Sequence, residues 1–374
     1  MTCNKSRAWR EIDLVALSHN ARVLQSALAP GCGLMAVVKA DAYGHGALET
    51  ALRLQNDGVK AFAVACLEEG IALRKAGIRA LILILGYTPP ECAPLLHQWQ
   101  LTQTVADEAH GRALSAQGMP LQVHLALDTG MHRLGIPAGD RPALARMYRL
   151  PHLKICGVFS HLCVSDSLRE EDTAFTQTQL QQFYDTLQWL RDSRYDPGQT
   201  HIQASYGIWN LPPQRCAWAR AGIALYGVGS DDAPTARTLN LHPVLSLRAR
   251  IASVRALSEG ECAGYGLAFR AKQPTQLAVV TVGYADGLPR DLPQRGGEVL
   301  LRGKRCPMVG RLCMDQMLVD VTGAGAPCGG ETVTLIGRDG AQRIRAEDVA
   351  RQCGTITNEL LSRLGARLPI VPGD

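Results

Sequence analysis

The chain has 374 residues, 46% of them hydrophobic and 20% charged, with 39 Lys and Arg against 34 Asp and Glu for a net charge of +5. That length suits one large domain plus a smaller one, and the composition excludes a disordered or low-complexity chain. No basic run is long enough to suggest a nucleic-acid surface, and the twelve cysteines form neither a CxxC pair nor a zinc spacing, so reduced thiols and no metal are expected.

Lys5, Arg7, Arg10, Glu11 and Asp13 interrupt the first twenty residues, which predicts no signal peptide, no membrane anchor and a cytoplasmic protein. Asp13 is placed to cap a first helix with Leu17, Ala21, Leu24 and Leu28 on one face. Apolar strand candidates follow at 34–38, 61–66, 80–85, 101–105, 121–127, 154–159, 200–204 and 218–223. Helical patterns separate most of them: 67–76 stops at Gly77, and 172–193 carries Leu180, Phe183, Tyr184, Leu187 and Leu190 at helical spacing. Eight strands alternating with helices predict an α/β fold, a TIM-like (β/α)8 barrel over 1–235 with its chemistry at the C-terminal strand ends. From 236 to 374 the texture is mostly β: strands at 244–257, 276–282, 299–302, 317–321 and 332–336 lie between glycine-rich turns, with one late helix at 346–352. Residues 1–14 either open the barrel or pair with this β domain.

The predicted strand ends hold the residues able to do chemistry. Lys39 closes the apolar run 34–38 where a glycine-broken turn begins. A strand-end lysine ordinarily snorkels to water. Held in an apolar site, its amine loses its proton more readily, and a neutral amine attacks carbonyls such as the aldehyde of pyridoxal phosphate. His161, in Gly-Val-Phe-Ser-His, would face the same barrel mouth, with a buried, satisfied histidine as the plain alternative. Arg133 lies in the glycine-bearing loop Asp-Thr-Gly-Met-His-Arg-Leu-Gly, from which it could fork onto a carboxylate or a phenolate oxygen. Ser205 and the run Arg220-Ala221-Gly222-Ile223 close the seventh and eighth strands, where barrels hold phosphate through backbone N–H groups and a hydroxyl. In the β domain, Tyr265 sits between two glycines, and the turns at Tyr284-Ala285-Asp286-Gly287 and Cys313-Met314-Asp315-Gln316 add further polar groups.

The segments AVVKADAYGHG, DTGMHRLG, GVFSHL, ARAGIALYG, VGYADGLPR and GRLCMDQ, in this order and over nearly the whole chain, resemble the bacterial alanine racemase family. The resemblance implies a pyridoxal 5'-phosphate barrel followed by a β domain, in a homodimer with shared active sites. It implies a small amino-acid substrate, no nucleic-acid or membrane partner, and a supply of D-alanine for cell-wall peptides. In the family's terms Lys39 is the Schiff-base lysine and the base on one face of the substrate α-carbon. Tyr265 is the base on the other face, contributed across the dimer interface. Tyr43, Ser205, Gly222 and Ile223 hold the cofactor phosphate, Arg220 faces the pyridine nitrogen as a permanently charged donor, and His161 adjoins the ring. Arg133, Tyr284 and Met314 are substrate contacts.

Two departures stand out. Ala126 occupies the position where the family often has a lysine, modified to a carbamate that orients the arginine corresponding to Arg133. The stretches HIQASYGIWNLP and CGTITNELLSRLGARLP are more similar to the catalytic domain of the vancomycin-resistance serine racemases. There Asn358 stands near an expected tyrosine, and its amide could meet a hydroxymethyl side chain. Alanine racemisation is therefore expected, with serine or dual alanine/serine racemisation as the alternative. A barrel-type pyridoxal-phosphate decarboxylase and a non-catalytic cofactor carrier are more remote, the first disfavoured by Tyr265 and the LCMDQ segment, the second by the β domain.

Overall fold

The computed structural model describes residues 5–373, so the ends of the two sequence-defined segments, 1–4 and 374, lie outside it. Asp13 accepts hydrogen bonds from the Val15 and Ala16 N–H groups at 2.9 and 2.8 Å and so caps helix Leu14–Ser26. This helix follows strand β1 (Ala8–Ile12), which belongs to the second of the two large sheets.

The first large sheet is a closed ring of eight parallel strands. They are β2 (Gly33–Val37), β3 (Ala61–Val64), β4 (Leu81–Ile84), β5 (Thr102–Val105) and β6 (Leu121–Asp128), then β8 (Leu153–Phe159), β9 (Gln199–His201) and β10 (Trp218–Ala221). A two-residue strand, β7 (Ile136–Pro137), adds to β6 outside the ring. Most of the strands are short and apolar because a barrel strand is covered on both faces, by side chains inside and helices outside, while β5 and β9 bury polar side chains instead. Helix Glu170–Asp192 shows the outer packing, with Leu180, Phe183, Leu187 and Leu190 buried against the strands. The ring closes where Trp218 pairs with Gly33, a contact that leaves no room for a Cβ at Gly33.

Two barrel strands end sooner than the apolar runs suggest. β9 stops at His201 and β10 at Ala221, and the chain turns into helix Ser205–Asn210 and the single turn Ile223–Tyr226. The cause is local: Ser205 Oγ accepts hydrogen bonds from the Gly222 and Ala224 N–H groups, which draws the ends of both strands together.

The second sheet is built on the thirteen-residue strand β11 (Leu245–Leu257). After the small hairpin β12 (Cys262–Ala263) and β13 (Phe269–Arg270) come β14 (Thr275–Val280), β15 (Glu298–Leu301), β16 (Lys304–Val309), β17 (Met317–Asp320) and β18 (Thr332–Asp339). Antiparallel pairing runs β11–β14–β17–β16–β15–β18 and returns to β11, forming a second closed ring. β19 (Gln342–Ile344) extends β18, while β1 pairs with the first half of β11 and with β20 (Ile370–Pro372). The late helix spans Ala346–Gln352, and a second helix, Thr357–Ser362, follows it in place of the single one expected. No helix among the described residues is long and apolar enough to cross a membrane, and the eleven described cysteines are free.

The sheets meet at an unusual turn. After Lys39, four consecutive residues, Ala40, Asp41, Ala42 and Tyr43, have φ of 53–54°, in the left-handed region that costs an L-residue roughly 1–2 kcal/mol each. Arg10 of β1 holds this turn. Its guanidinium donates to the Leu368 carbonyl at 3.1 Å, to the Gly44 carbonyl at 2.7 Å and to Asp41 Oδ2 at 3.0 Å. Asp41 Oδ1 in turn accepts from the Ala47 N–H at 2.9 Å. His45, stacked on the buried Tyr226 ring at 4.3 Å, meets the Ala42 and Tyr43 carbonyls with Nδ1. Burial lowers its imidazole to about 4, so the ring is neutral and Nδ1–H is the donor.

Gly44, at φ 78°, fits so closely that a Cβ would lie 2.2 Å from the Leu361 carbonyl oxygen. Gly44→Ala is expected to lower the unfolding free energy by about 3 kcal/mol or more. Gly58→Ala, at φ 94° but facing open space, isolates the backbone strain and should lose only about 1–2 kcal/mol. Equal shifts of the two urea midpoints would show that the Leu361 contact contributes nothing.

Candidate active site

The C-terminal ends of the barrel strands open into a cavity of about 540 Å3. Its wall brings together Lys39, Tyr43, Arg133, His161, Ser205, Arg220, Gly222 and Ile223, all singled out from sequence, together with Ala126 and Asn358. The cause is topological: all of these but Asn358, which comes from helix Thr357–Ser362, lie at or after the ends of strands of one ring, and a parallel barrel presents every strand end at the same mouth.

Lys39 is partly buried, and its amine pKa is lowered, first by loss of water and then by the nearby positive charge of Arg133 and Arg220, with Glu69 opposing. Glu69 is not free to pair with the lysine. Its carboxylate accepts the Ala40 N–H and the Ala65 N–H, each at 2.7 Å, and so ties the turn after β2 to the end of β3. The result is a lysine biased toward the neutral, nucleophilic amine.

Arg220 is buried among neutral partners. It donates to the Ser160 and Ile202 carbonyls at 2.7 and 3.2 Å, to His161 Nδ1 at 3.1 Å and to His201 Nδ1 at 2.5 Å, and lies over the Phe159 ring at 5.2 Å. Burial lowers the guanidinium to about 10, so it stays a cation at neutral pH. A guanidinium cannot accept, so His161 and His201 each present a bare Nδ1 to it. His201 Nε2 then lies 2.9 Å from His124 Nδ1 and is the donor of that pair. Burial, with Arg220 beside them, drives His161 and His124 down to about 3 and His201 well below its ordinary value. All three imidazoles are therefore neutral.

At the opposite wall Ser205 Oγ takes the Gly222 N–H at 3.0 Å and the Ala224 N–H at 3.2 Å, and keeps its own proton to donate. Burial pushes the Tyr43 phenol up to about 12, so it too remains a donor. A Cβ on Gly222 would stand 2.7 Å from Tyr43 Oη, so only glycine leaves this corner open. Uncharged donors around a backbone turn, with Lys39 and Arg220 in the same cavity, fit an anionic phosphate carrying an aldehyde and a ring nitrogen acceptor.

Arg133 reaches the cavity on an exposed loop. Asp128 shapes that loop, accepting the Gly130 and His132 N–H groups at 2.9 and 3.0 Å through Oδ1 and facing His132 Nδ1 at 2.8 Å through Oδ2. Ala126 lines the cavity behind it without a polar group to offer.

Three other residues singled out from sequence lie elsewhere. Tyr265 and Met314, 63% and 52% exposed, share a separate concavity of about 650 Å3 on the β domain. Tyr284 is joined to the same segment, its N–H donating to the Cys313 carbonyl at 3.1 Å. Within one chain none of the three lines the Lys39 cavity.

The structure also adds residues that sequence reasoning missed: Arg10, Glu69, Asp41, His201 and Tyr206. They bond to backbone or to residues distant in the chain, and no local spacing announces them. Two signals were available, a glutamate on the helix after β3 and a histidine closing strand β9.

The model of the alanine racemase N-terminal domain matches residues 12–230 and that of the alanine racemase C-terminal domain residues 244–372. An amino-acid racemase of Enterococcus faecalis is 43% identical over 99% of this chain and 52% of its own length. A serine/alanine racemase of Enterococcus gallinarum is 40% identical over 97% of this chain and 51% of its own. The chain thus spans about half the length of these curated relatives. The crystal structure of an alanine racemase from E. faecalis superposes with a TM-score of 0.91 at 32% identity, covering 99% of both chains. By both its domain models and its fold, the chain belongs to the alanine racemase family.

Proposed function

We propose that this chain is a pyridoxal-phosphate-dependent racemase interconverting L- and D-alanine. The observation that carries this reading is Lys39, a partly buried lysine of lowered amine pKa that shares its cavity with an uncharged phosphate cradle and a buried arginine held by neutral partners. The cofactor, when bound, supplies the aldehyde that takes the substrate amine and the conjugation that stabilises a carbanion at the α-carbon.

The chain's own residues then divide the work. Ser205, Tyr43 and the turn at Gly222 and Ile223 anchor the phosphate, and Arg133 orients the substrate carboxylate. Arg220, a donor that keeps its proton, faces the ring without protonating it, with neutral His161 beside it. Lys39 Nζ moves the proton on one face of the α-carbon, and Tyr265 Oη of a second copy of the chain moves it on the other. A homodimer is supported by the incomplete cavity and by exposed Tyr265, Leu267, Tyr284 and Met314 on the β domain, an apolar group that a partner would cover. In this division residues 1–235 bind the cofactor and 236–374 bring the second base, Tyr265, with Met314 and Tyr284 at the substrate. The free cysteines suit a reducing compartment, so we place the enzyme in the cytoplasm, supplying D-alanine for cell-wall peptides.

Serine is a second substrate on one further observation. Asn358 lines the cavity, and its Oδ1 is buried with no hydrogen-bond partner. Turned toward the cavity, this unmet acceptor would take a substrate hydroxyl, which alanine does not have.

Purified protein with pyridoxal phosphate should convert L-alanine to a racemic mixture, with D-serine formed from L-serine, both read by chiral chromatography. No D-product from either amino acid would overturn the proposal, and release of CO2 would favour a decarboxylase instead. Tyr265→Phe should slow solvent-deuterium exchange at the α-carbon by roughly a hundredfold or more, chiefly for the L-enantiomer. Equal slowing for both enantiomers contradicts a two-base division. Removing the nearby cation with Arg133→Gln should raise the amine pKa of Lys39 in the cofactor-free protein. Acylation of Lys39, followed by peptide mass spectrometry across a pH series, should then reach half-maximum at higher pH, and no change would mean that Arg133 does not bias the lysine.

A further inference from the structure

Asn358 does not hold its own place. The short helix that carries it, Thr357–Ser362, has no side-chain cap at its start. Its first N–H, that of Thr357, instead donates to the Ser230 carbonyl at 2.8 Å. The Ser230 N–H in turn donates to Tyr206 Oη at 2.9 Å. Tyr206 is the neighbour of Ser205 on helix Ser205–Asn210, and its ring packs edge-on against Trp209 with 5.1 Å between centroids. Tyr206, Ser230 and Asn358 all line the Lys39 cavity, although they come from the barrel, the segment joining the two sheets and the end of the β domain.

This chain of bonds has a beginning and an end with chemical meaning. At one end Ser205 Oγ gathers the Gly222 and Ala224 N–H groups at the phosphate cradle. At the other, Asn358 lines the cavity with an amide whose buried oxygen has no hydrogen-bond partner. The joining segment is further pinned where the Gly229 N–H donates to Glu347 Oε1 at 3.3 Å. The helix lies among buried groups, Thr357 itself being fully buried, so an error in its seating would displace Asn358 rather than be absorbed by solvent.

We propose that Tyr206 and Ser230 are positioning residues for substrate choice: they hold Asn358 at a fixed place relative to the phosphate cradle, so that its amide meets the hydroxyl of a hydroxymethyl amino acid. This rests on the assignment of Asn358 to the substrate side chain. A contact to a side chain that takes no part in the proton transfer is made equally before and during it, so loss of position raises KM for serine more than it lowers kcat.

The test compares kcat and KM for L-serine and L-alanine in the cofactor-loaded wild type, Asn358→Ala and Tyr206→Phe. The phenylalanine keeps the ring against Trp209 and removes the acceptor for the Ser230 N–H. Tyr206→Phe should lower the serine-to-alanine ratio of kcat/KM about fivefold, the worth of one hydrogen bond, through serine KM. Amide exchange at 357–360 should quicken in the same variant. If Asn358→Ala shifts the ratio and Tyr206→Phe does not, the positioning proposal is overturned while Asn358 keeps its role. If Asn358→Ala also leaves the ratio unchanged, or the wild type turns over no serine, the assignment of Asn358 falls, and the proposal with it. Should Tyr206→Phe not fold, Ser230→Pro, which lacks the N–H, reads the same ratio.

Discussion

Four left-handed residues directly after Lys39 form a turn that a barrel alone has little means to hold. The strain in Ala40 to Tyr43 is borne by Arg10, a residue of the other sheet, whose single guanidinium bonds the turn twice and the segment leading into β20 once. Gly44 presses against the backbone of helix Thr357–Ser362, so the lysine turn and the helix carrying Asn358 rest on each other. The two closed rings are thus one working unit. The barrel supplies the mouth, and the β domain sets the angle at which Lys39 and Tyr43 enter it. Disturbing β1 or β20 would reach the Lys39 cavity without touching a residue that lines it.

The second constraint is charge. Arg220 stays positive, and the imidazoles around it stay neutral because burial beside a cation suppresses their protonation. The field in the cavity therefore changes little over the pH range in which a free histidine would titrate. Such a field attracts anions and lowers the pKa of the Lys39 amine. Glu69, which could have neutralised that amine, is held by two backbone N–H groups.

Much of this was legible in the chain. Apolar runs of four to eight residues marked the barrel strands to within a few positions, because strands covered on both faces need no polar alternation. The strand ends then pointed to Lys39, His161, Ser205 and Arg220. The ends of β9 and β10 were misplaced because a serine hydroxyl, not hydrophobicity, decides where those strands stop. Helix Thr357–Ser362 was missed because its start is capped by a carbonyl over a hundred residues away. Arg10 and the left-handed turn had no local signature, since alanine, aspartate and tyrosine do not announce positive φ. Tyr265 was picked out by its flanking glycines, and its separation from Lys39 within one chain agrees with the resemblance, which puts it across a dimer interface.

The left-handed run has one more consequence. Its backbone angles, near +53° and +40 to +54°, are close to the mirror image of an ordinary helix, the conformation that a residue of inverted chirality adopts at rest. Ala40 and Ala42 are therefore places where a chemically synthesised segment bearing D-alanine would sit more comfortably than the encoded L-residue. A protein we assign to making D-alanine is strained, beside its own reactive lysine, at the positions that its product would relax.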